Sequence, residues 1–241
     1  MEFENILDKI RDTFGEIPEN VNVLEEQIDV NLQMEYFEYS RKERKDINIE
    51  EVLSKKEQLF DETIALDNRK KLLVELAAIE DVSAYRTIED YLKKAEDSLY
   101  DWALLAHHES KMLLESSLLD EKQVFISTGL GGKGTKLRYF IILTSRDDNE
   151  FTELQQKIIR NELLFSLEKR NADIEEIKFE GNISKILAII PFNVTIKPIF
   201  EEIVSECNQL GNFVSEDVLI NNLKILSNVE IREHMAKKHS E

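Results

Sequence analysis

The segment whose residue types are best suited to binding a ligand is the glycine-rich run GLGGKGTK at positions 129–136. Four of the chain's seven glycines fall between positions 129 and 134. Glycine permits positive φ angles and close backbone approach, so successive N–H groups can converge on an anion. Lysine and arginine side chains follow closely and add positive charge. The candidate anion-binding residues are therefore Gly129, Gly131, Gly132, Lys133, Gly134, Lys136 and Arg138.

The known phosphate-binding templates fit this run poorly. Gly129 and Gly134 have the spacing of a P-loop, but Thr135 and Lys136 follow in inverted order. The next residues, LRYFIIL, form a strand-like run, so no helix N-terminus is available for a phosphate. The alternative is structural: a flexible hairpin loop, or glycines against which another backbone packs. We favour this structural interpretation, and nucleotide or phosphate binding stays open as the alternative.

The remaining reactive residue types form no catalytic pattern. Adjacent helical residues point about 100° apart, so His107 and His108 cannot chelate one metal ion together. Cys207 lies on the apolar side of a predicted helix, where a buried and inert thiol is expected. We therefore expect no metal ion, no cofactor and no catalytic residue. These observations favour a protein that is not an enzyme, without excluding one.

The charge of the chain is strongly negative and unevenly distributed. The 241 residues carry a formal net charge of −18. Residues 1–122 hold 31 acidic and 16 basic side chains, whereas residues 123–241 hold 18 and 15. Because affinity for nucleic acid depends mainly on neutralising phosphates, this balance predicts that nucleic acid is an unlikely partner. An acidic surface instead suits a basic protein partner, or it is an ordinary solvated surface.

Composition also bears on location. No apolar run is long enough to cross a bilayer, so we expect no membrane contact. The first residues, MEFENILDKIRD, are acidic and amphipathic, which is unlike a secretory signal. Cys207 is the single cysteine, so an intrachain disulfide is impossible. These features predict a cytoplasmic protein.

The front half of the sequence is mainly helical in pattern. Apolar spacing predicts a helix over residues 3–14 and further helices from residue 66 onward. Residues 27–36 alternate apolar and polar positions, which slightly favours a strand over a helix, and residues 40–46 suit a polar connector. Asn48 and Ser98 are predicted helix N-caps.

The run DVSAYRTIEDYLKKAEDSLYDWALLAHHESKML at residues 81–113 resembles a HEAT-type helical repeat. The matching core and turn positions are Asp81, Ala84, Ile88, Leu92, Asp97, Leu99, Ala103 and Ala106. The resemblance covers about residues 66–117 and implies stacked antiparallel helix pairs. Since a helical solenoid needs about three repeats to bury its core, this region requires a covering partner, and the back half is the obvious candidate.

The back half predicts an α+β domain. Residues 123–128 and 137–144 form strand-like runs around the glycine loop. Residues 174–180 and 184–191 form a second pair, joined by a turn at Gly181–Asn182, and the run 184–191 is apolar on both faces, as in a central buried strand. Helices are predicted over residues 151–170, with a capping box of Thr152 and Gln155, and over residues 196–210. A fifth strand is predicted over residues 217–226, and Ser227 and Glu230 form a capping box for a final helix. Together these elements predict a two-layer domain with a mixed or antiparallel sheet.

The sequence thus predicts an α+β fold in two parts: an acidic, mainly helical region of residues 1–120, and an α+β domain of residues 121–241. The favoured function is a non-catalytic interaction or adaptor protein that uses the acidic HEAT-like surface. The alternative is a nucleotide- or phosphate-binding protein or enzyme built on the glycine loop.

Overall fold

A computed structural model describes residues 21–44, 47–95, 97–120 and 123–238. The chain is α+β, as predicted. Its described residues form two compact units: a helical unit of residues 21–22 and 28–126, and a sheet unit of residues 23–27 and 127–238. The predicted division into residues 1–120 and 121–241 stays a prediction. The helix predicted over residues 3–14 lies outside the described residues.

The helical unit consists of five α-helices joined by short connections. Their bounds are α1 Val30–Glu43, α2 Ile49–Lys55, α3 Leu66–Ala77, α4 Val82–Leu92 and α5 Tyr100–Leu119. Two 3₁₀ helices, Lys56–Phe60 and Asp97–Leu99, precede α3 and α5. Helices α3, α4 and α5 pack against one another. The resemblance of this region to a HEAT element stays a prediction.

The strand predicted over residues 27–36 and the connector predicted over residues 40–46 are both wrong, because most of these residues lie in helix α1. The Asp29 carboxylate accepts hydrogen bonds from the backbone N–H groups of Asn31 (2.8 Å) and Leu32 (3.3 Å), which begins the helix. Gln33, Tyr36 and Ser40 are the buried side chains of α1. Burial therefore follows a helical spacing, and the alternation of apolar residues was misleading.

Helix caps were predicted with mixed success. The Asn48 side chain accepts from the Glu51 backbone N–H at 3.3 Å, so this N-cap is confirmed. The Ser98 prediction is wrong, because α5 begins after Leu99 and that cap has no side-chain hydrogen bond. The preceding 3₁₀ helix brings the chain into α5 instead.

The strand predicted over residues 123–128 is present as β2 (Val124–Ile126), but its partner is β1 (Val21–Val23). The hairpin predicted between 123–128 and 137–144 is therefore wrong. The hairpin that does form joins β3 (Gly132–Lys133) to β4 (Lys136–Thr144). It includes the end of the glycine-rich run, so the loop itself contributes a short strand.

The sheet unit has the strand and helix order βαββαβ. After β4 come α6 (Glu153–Glu168), β5 (Asp173–Glu180), β6 (Ile183–Pro191), α7 (Ile196–Gln209) and β7 (Leu219–Asn221). Strand β4 pairs antiparallel with both β6 and β7, and β5 pairs antiparallel with β6. The spatial order β7-β4-β6-β5 is that of a ferredoxin-like split βαβ fold. The fifth strand predicted within residues 217–226 is thus confirmed in part.

The two faces of this sheet are covered differently. Leu137, Tyr139, Ile141 and Leu143 lie on one face of β4 and are buried. The two crossover helices α6 and α7 cover this face in the βαββαβ arrangement. The opposite face carries Phe140, Ile142, Ile183 and Leu187, packed with residues of the C-terminal helix α8 (Asn228–Lys238). This third layer was not predicted.

Capping boxes begin two helices of the sheet unit, as predicted. Thr152 and Gln155 exchange hydrogen bonds at the start of α6. Ser227 and Glu230 do so before α8, where the Ser227 N–H donates to Glu230 Oε2 at 2.9 Å and the Glu230 N–H donates to Ser227 Oγ at 3.3 Å. Among the helices of the described ranges, none is both long and apolar enough to cross a bilayer.

Candidate functional site

The glycine-rich run is held by backbone packing on both sides. A Cβ atom on Gly129 would lie 1.7 Å from the Leu223 carbonyl oxygen. A Cβ atom on Gly131 would lie 2.4 Å from the Glu25 carbonyl oxygen, and one on Gly132 would lie 2.1 Å from the Lys136 carbonyl oxygen. Residues 129–132 are also buried. These glycines are therefore required by close approach of neighbouring backbone, as the structural interpretation expects.

Carboxylates of the chain itself pair with two of the three candidate cations. Lys136 Nζ lies 2.7 Å from the Asp173 carboxylate. Arg138 donates to both Glu175 oxygens, at 2.5 and 2.9 Å, and this hydrogen bonding raises the pKa of Arg138. Lys133 and Gly134 are exposed, and the Gly134 N–H donates to the Glu25 carboxylate at 3.1 Å. Anion binding by this run stays a prediction, and carboxylates of the chain itself account for the charges of Lys136 and Arg138.

The histidines and the cysteine have structural surroundings. His107 Nε2 lies 3.2 Å from the Tyr85 hydroxyl, and the His108 ring packs on Phe125 at 5.2 Å between centroids. In the described ranges no three His, Cys, Asp or Glu side chains are grouped so as to hold a metal ion. Cys207 is fully buried, and burial raises the pKa of its thiol to about 12. The prediction of a buried cysteine is confirmed.

Within the helical unit, a buried polar cluster joins α1 to α5. The Tyr36 hydroxyl donates to Glu109 Oε2 at 2.5 Å, and Ser40 Oγ donates to Glu109 Oε1 at 3.2 Å. Arg44 forms an ion pair with the same carboxylate. Sequence reasoning missed this cluster, although Tyr36, Ser40 and Arg44 recur every four residues, as one polar stripe of a helix would.

The Glu109 cluster has the properties of a packing element. Each carboxylate oxygen of Glu109 has a donor, and its side chain is only 8% exposed. Trp102 packs edge-on against Tyr36 with ring centroids 5.1 Å apart, and its indole N–H donates to the Lys70 carbonyl at 3.1 Å. A buried, fully paired carboxylate has no free oxygen for a substrate.

The sheet unit contains an open cleft of about 180 Å³ on the face that α8 only partly covers. We call it the sheet-face cleft. Its apolar lining consists of Phe140, Ile186, Leu187, Ile225 and Leu226, and its charged lining consists of Glu176, Lys178, Glu180 and Lys185. Strands β4, β5 and β6 position most of these side chains, and the segment before α8 supplies Ile225 and Leu226. Rigid strands therefore fix the cleft.

Strand register determines the charged side of the cleft. Lys178 on β5 lies directly opposite Lys185 on β6. Directly opposed side chains have Cβ atoms about 5 Å apart, where like charges are unfavourable. Glu176 and Glu180 compensate: Lys178 Nζ lies 2.7 Å from Glu176, and Lys185 Nζ lies 2.6 Å from Glu180. The result is a quartet of two ammonium and two carboxylate groups.

The pairing of β4, β6 and β5 also positions the apolar side of the cleft. Phe140 on β4 lies opposite Leu187 on β6, and Leu187 lies opposite Glu176 on β5. The apolar floor therefore begins directly opposite Glu176, a member of the charged quartet. Ile225 is 51% exposed at the edge of the cleft, whereas Leu226 is buried. None of the quartet was proposed from sequence, because alternation of Glu and Lys on a strand also fits a solvated edge.

Comparison with known proteins gives no family. No protein-family model matches the sequence, and no curated protein matches it. Among solved structures, a proposed transposase from Deinococcus radiodurans R1 is 8% identical with a TM-score of 0.37; the match covers 42% of this chain and 90% of that one. A REP-associated tyrosine transposase bound to a REP hairpin is 13% identical with a TM-score of 0.31, over 40% of this chain and 61% of that one.

These neighbours correct three predictions. A non-catalytic adaptor function, protein–protein interaction through a HEAT-like surface, and nucleic acid as an unlikely partner are all contradicted by transposase neighbours, one of them bound to a REP hairpin. The net charge averages over the whole chain and does not describe the charge of any local surface. At these TM-scores the likeness carries no argument about the activity of this chain.

Proposed function

We propose that the sheet unit binds a small organic molecule and that the sheet-face cleft is the binding site. The observation that carries this proposal is the combination of an apolar floor with charged groups of both signs on one side of a strand-built cleft. Ligand sites in proteins typically combine an apolar lining with a few placed polar groups.

The cleft size limits the ligand. Pockets for drug-sized molecules run from about 300 to 1,000 Å³. At about 180 Å³, this cleft suits a smaller molecule. Solvent-exposed ion pairs contribute only about 0–1 kcal/mol, so a ligand group can replace one partner of the Lys178–Glu176 pair at little cost. Binding therefore requires no rearrangement of the strands.

A cytoplasmic location is part of this proposal. It is supported by the single cysteine, Cys207, and by a composition with no long apolar run. Fractionation of cells that express the tagged protein, with the tag at the C-terminus, tests the location independently of ligand binding.

Methyl NMR of the ¹³C-labelled full chain tests the proposed site. A set of small carboxylates, amines and amino acids is added to protein labelled at Ile and Leu methyl groups. We expect the molecules that bind to shift the methyl resonances of Leu187, Ile225 and Leu226. Leu154 and Leu164 are internal controls, because both are exposed on α6 and neither lines the cleft.

A pair of variants separates the cleft from general surface binding. Ile225→Trp should fill the edge of the cleft and abolish the shifts of the Leu187 and Leu226 methyl groups, whereas Leu154→Trp, at a comparably exposed position, should leave them unchanged. A DNA hairpin is titrated as a separate probe. The proposal is refuted if no small molecule shifts the three cleft methyl groups, or if the DNA hairpin occupies the cleft and displaces the small molecules.

A further inference from the structure

The charged quartet indicates which charged groups the ligand carries. Lys178 and Lys185 are opposed across β5 and β6, and each ammonium group is paired with a different glutamate. An anionic group placed between the two ammonium groups would interact with both and would relieve their mutual repulsion. A carboxylate has the charge and the two acceptor oxygens for this position.

Glu176 provides a second contact on the side of the apolar floor. It lies opposite Leu187, closer to Phe140 than the two lysines. When a ligand carboxylate engages Lys178, the Glu176 carboxylate loses its own cation and becomes available to another. A ligand ammonium group supplies it. Glu180 differs, because the Asn228 side chain also donates to it, at 3.1 Å, and the hydrogen bonds from Lys185 and Asn228 lower its pKa.

The local charge of the quartet indicates a ligand that carries both groups. The quartet sums to zero, so a purely anionic ligand has no net electrostatic attraction to it. An ammonium group alone would leave the opposed lysines unrelieved. An apolar body is needed in addition, because Phe140, Leu187 and Leu226 form the floor next to the charges.

Resting on the function proposed above, we infer that the sheet-face cleft takes a free α-amino acid with an apolar side chain. Its carboxylate lies between Lys178 and Lys185, and its ammonium group lies on Glu176. Its side chain lies on the floor of Phe140, Leu187 and Leu226. The strand pairing places Lys178, Lys185, Glu176, Leu187 and Phe140 beside one another, and a volume of about 180 Å³ suits a single amino acid.

Calorimetry of the full chain with four matched probes tests this inference. L-leucine carries all three features, 4-methylpentanoic acid lacks the ammonium group, 3-methylbutylamine lacks the carboxylate, and glycine lacks the side chain. We expect leucine to bind and each of the other three to bind about fivefold more weakly, since each lacks one of the three contacts and an exposed charged contact contributes up to about 1 kcal/mol.

Variants of the quartet identify the contacts. Lys185→Met should weaken leucine binding by about fivefold, and Glu176→Gln should remove the preference for leucine over 4-methylpentanoic acid. The control variant is Lys157→Met, a lysine on α6 outside the cleft, which should change neither. Thermal unfolding of each variant verifies that it folds.

The outcomes separate this inference from the proposed function. Equal binding of leucine and 4-methylpentanoic acid in the wild-type chain would overturn the zwitterion assignment, while the cleft remains a site for apolar acids. Preference for leucine that survives Glu176→Gln would overturn the assigned ammonium contact. If none of the four probes binds while other molecules shift the cleft methyl resonances, the ligand class is wrong and the site stands.

Discussion

Alanine substitutions in the glycine-rich run distinguish backbone packing from anion binding. Gly131 and Gly134 both adopt positive φ angles, 67° and 60°. They differ in their surroundings: no atom lies within 4 Å of a Cβ placed on Gly134, whereas a Cβ on Gly131 would lie 2.4 and 2.5 Å from the carbonyl oxygens of Glu25 and Glu26. The two positions therefore share a conformational penalty and differ in the steric one.

The expected magnitudes follow from these distances. A left-handed conformation costs an alanine about 1 kcal/mol, which is the whole effect expected for Gly134→Ala. Gly131→Ala adds an overpacking penalty of about 1–3 kcal/mol, and it strains the hydrogen bond that the Gly132 N–H donates to the Glu25 carbonyl at 3.4 Å. We expect a total loss of about 3 kcal/mol for Gly131→Ala.

Thermal and urea unfolding measure both losses. For a chain of this length about 1 kcal/mol corresponds to a melting-temperature shift of about 2–4 °C, so we expect a decrease of about 3 °C for Gly134→Ala and about 9 °C for Gly131→Ala. Gly134→Ala also serves as the folded control for titration with pyrophosphate. The packing argument is refuted if Gly134→Ala is the more destabilising variant, or if pyrophosphate stabilises the wild-type chain and this effect disappears in Gly134→Ala.

Three further predictions concern ionisable groups. Burial, and to a smaller extent the Glu109 carboxylate, raises the pKa of Tyr36 above its ordinary 10.0. The stabilisation that the neutral Tyr36 hydroxyl provides is therefore complete below pH 10 and is lost at higher pH. In Tyr36→Phe the free energy of unfolding should fall less steeply as the pH rises above 10. Because burial raises the pKa of Cys207 to about 12, its thiol should react with Ellman's reagent at pH 8 only as fast as the chain unfolds. Hydrogen bonds from Lys224, and then from Ser227, lower the pKa of Glu230 to about 2. The start of α8 should therefore lose protection from hydrogen exchange as the pH falls from 4.5 toward 2. Glu230→Gln should not show this dependence on pH.

Local signals in the sequence predicted several elements correctly. The Thr152–Gln155 and Ser227–Glu230 capping boxes, the Gly181–Asn182 turn and the buried strand β6 are all present. Each depends on neighbours within a few residues, which sequence patterns reveal directly. Residues 27–36 show the limit of such patterns, because their apolar spacing fits both a strand and a helix, and the Asp29 cap together with burial of Tyr36 decides for the helix.

Long-range pairing was beyond local patterns. The sequence pattern predicted a hairpin between β2 and β4, but β2 pairs with β1, which lies at the start of the described residues. Nothing in either short strand specifies that partner, since three-residue strands carry little register information. The same limit applies to Glu109, whose partners Tyr36, Ser40 and Arg44 are more than sixty residues away in sequence.

The amino-acid sequence alone determined that this chain is α+β, that its back half alternates strands with capped helices, and that Cys207 is buried. These properties follow from apolar periodicity and local hydrogen bonding. Only the tertiary structure paired β6 with β4 and so placed Leu187 opposite Phe140. The position of Lys178 opposite Lys185 follows instead from the two-residue Gly181–Asn182 turn, because a tight hairpin fixes the register of its own two strands. No turn joins β4 to β6, and a shift of one residue between them would turn the side chains of a whole strand to the other face of the sheet.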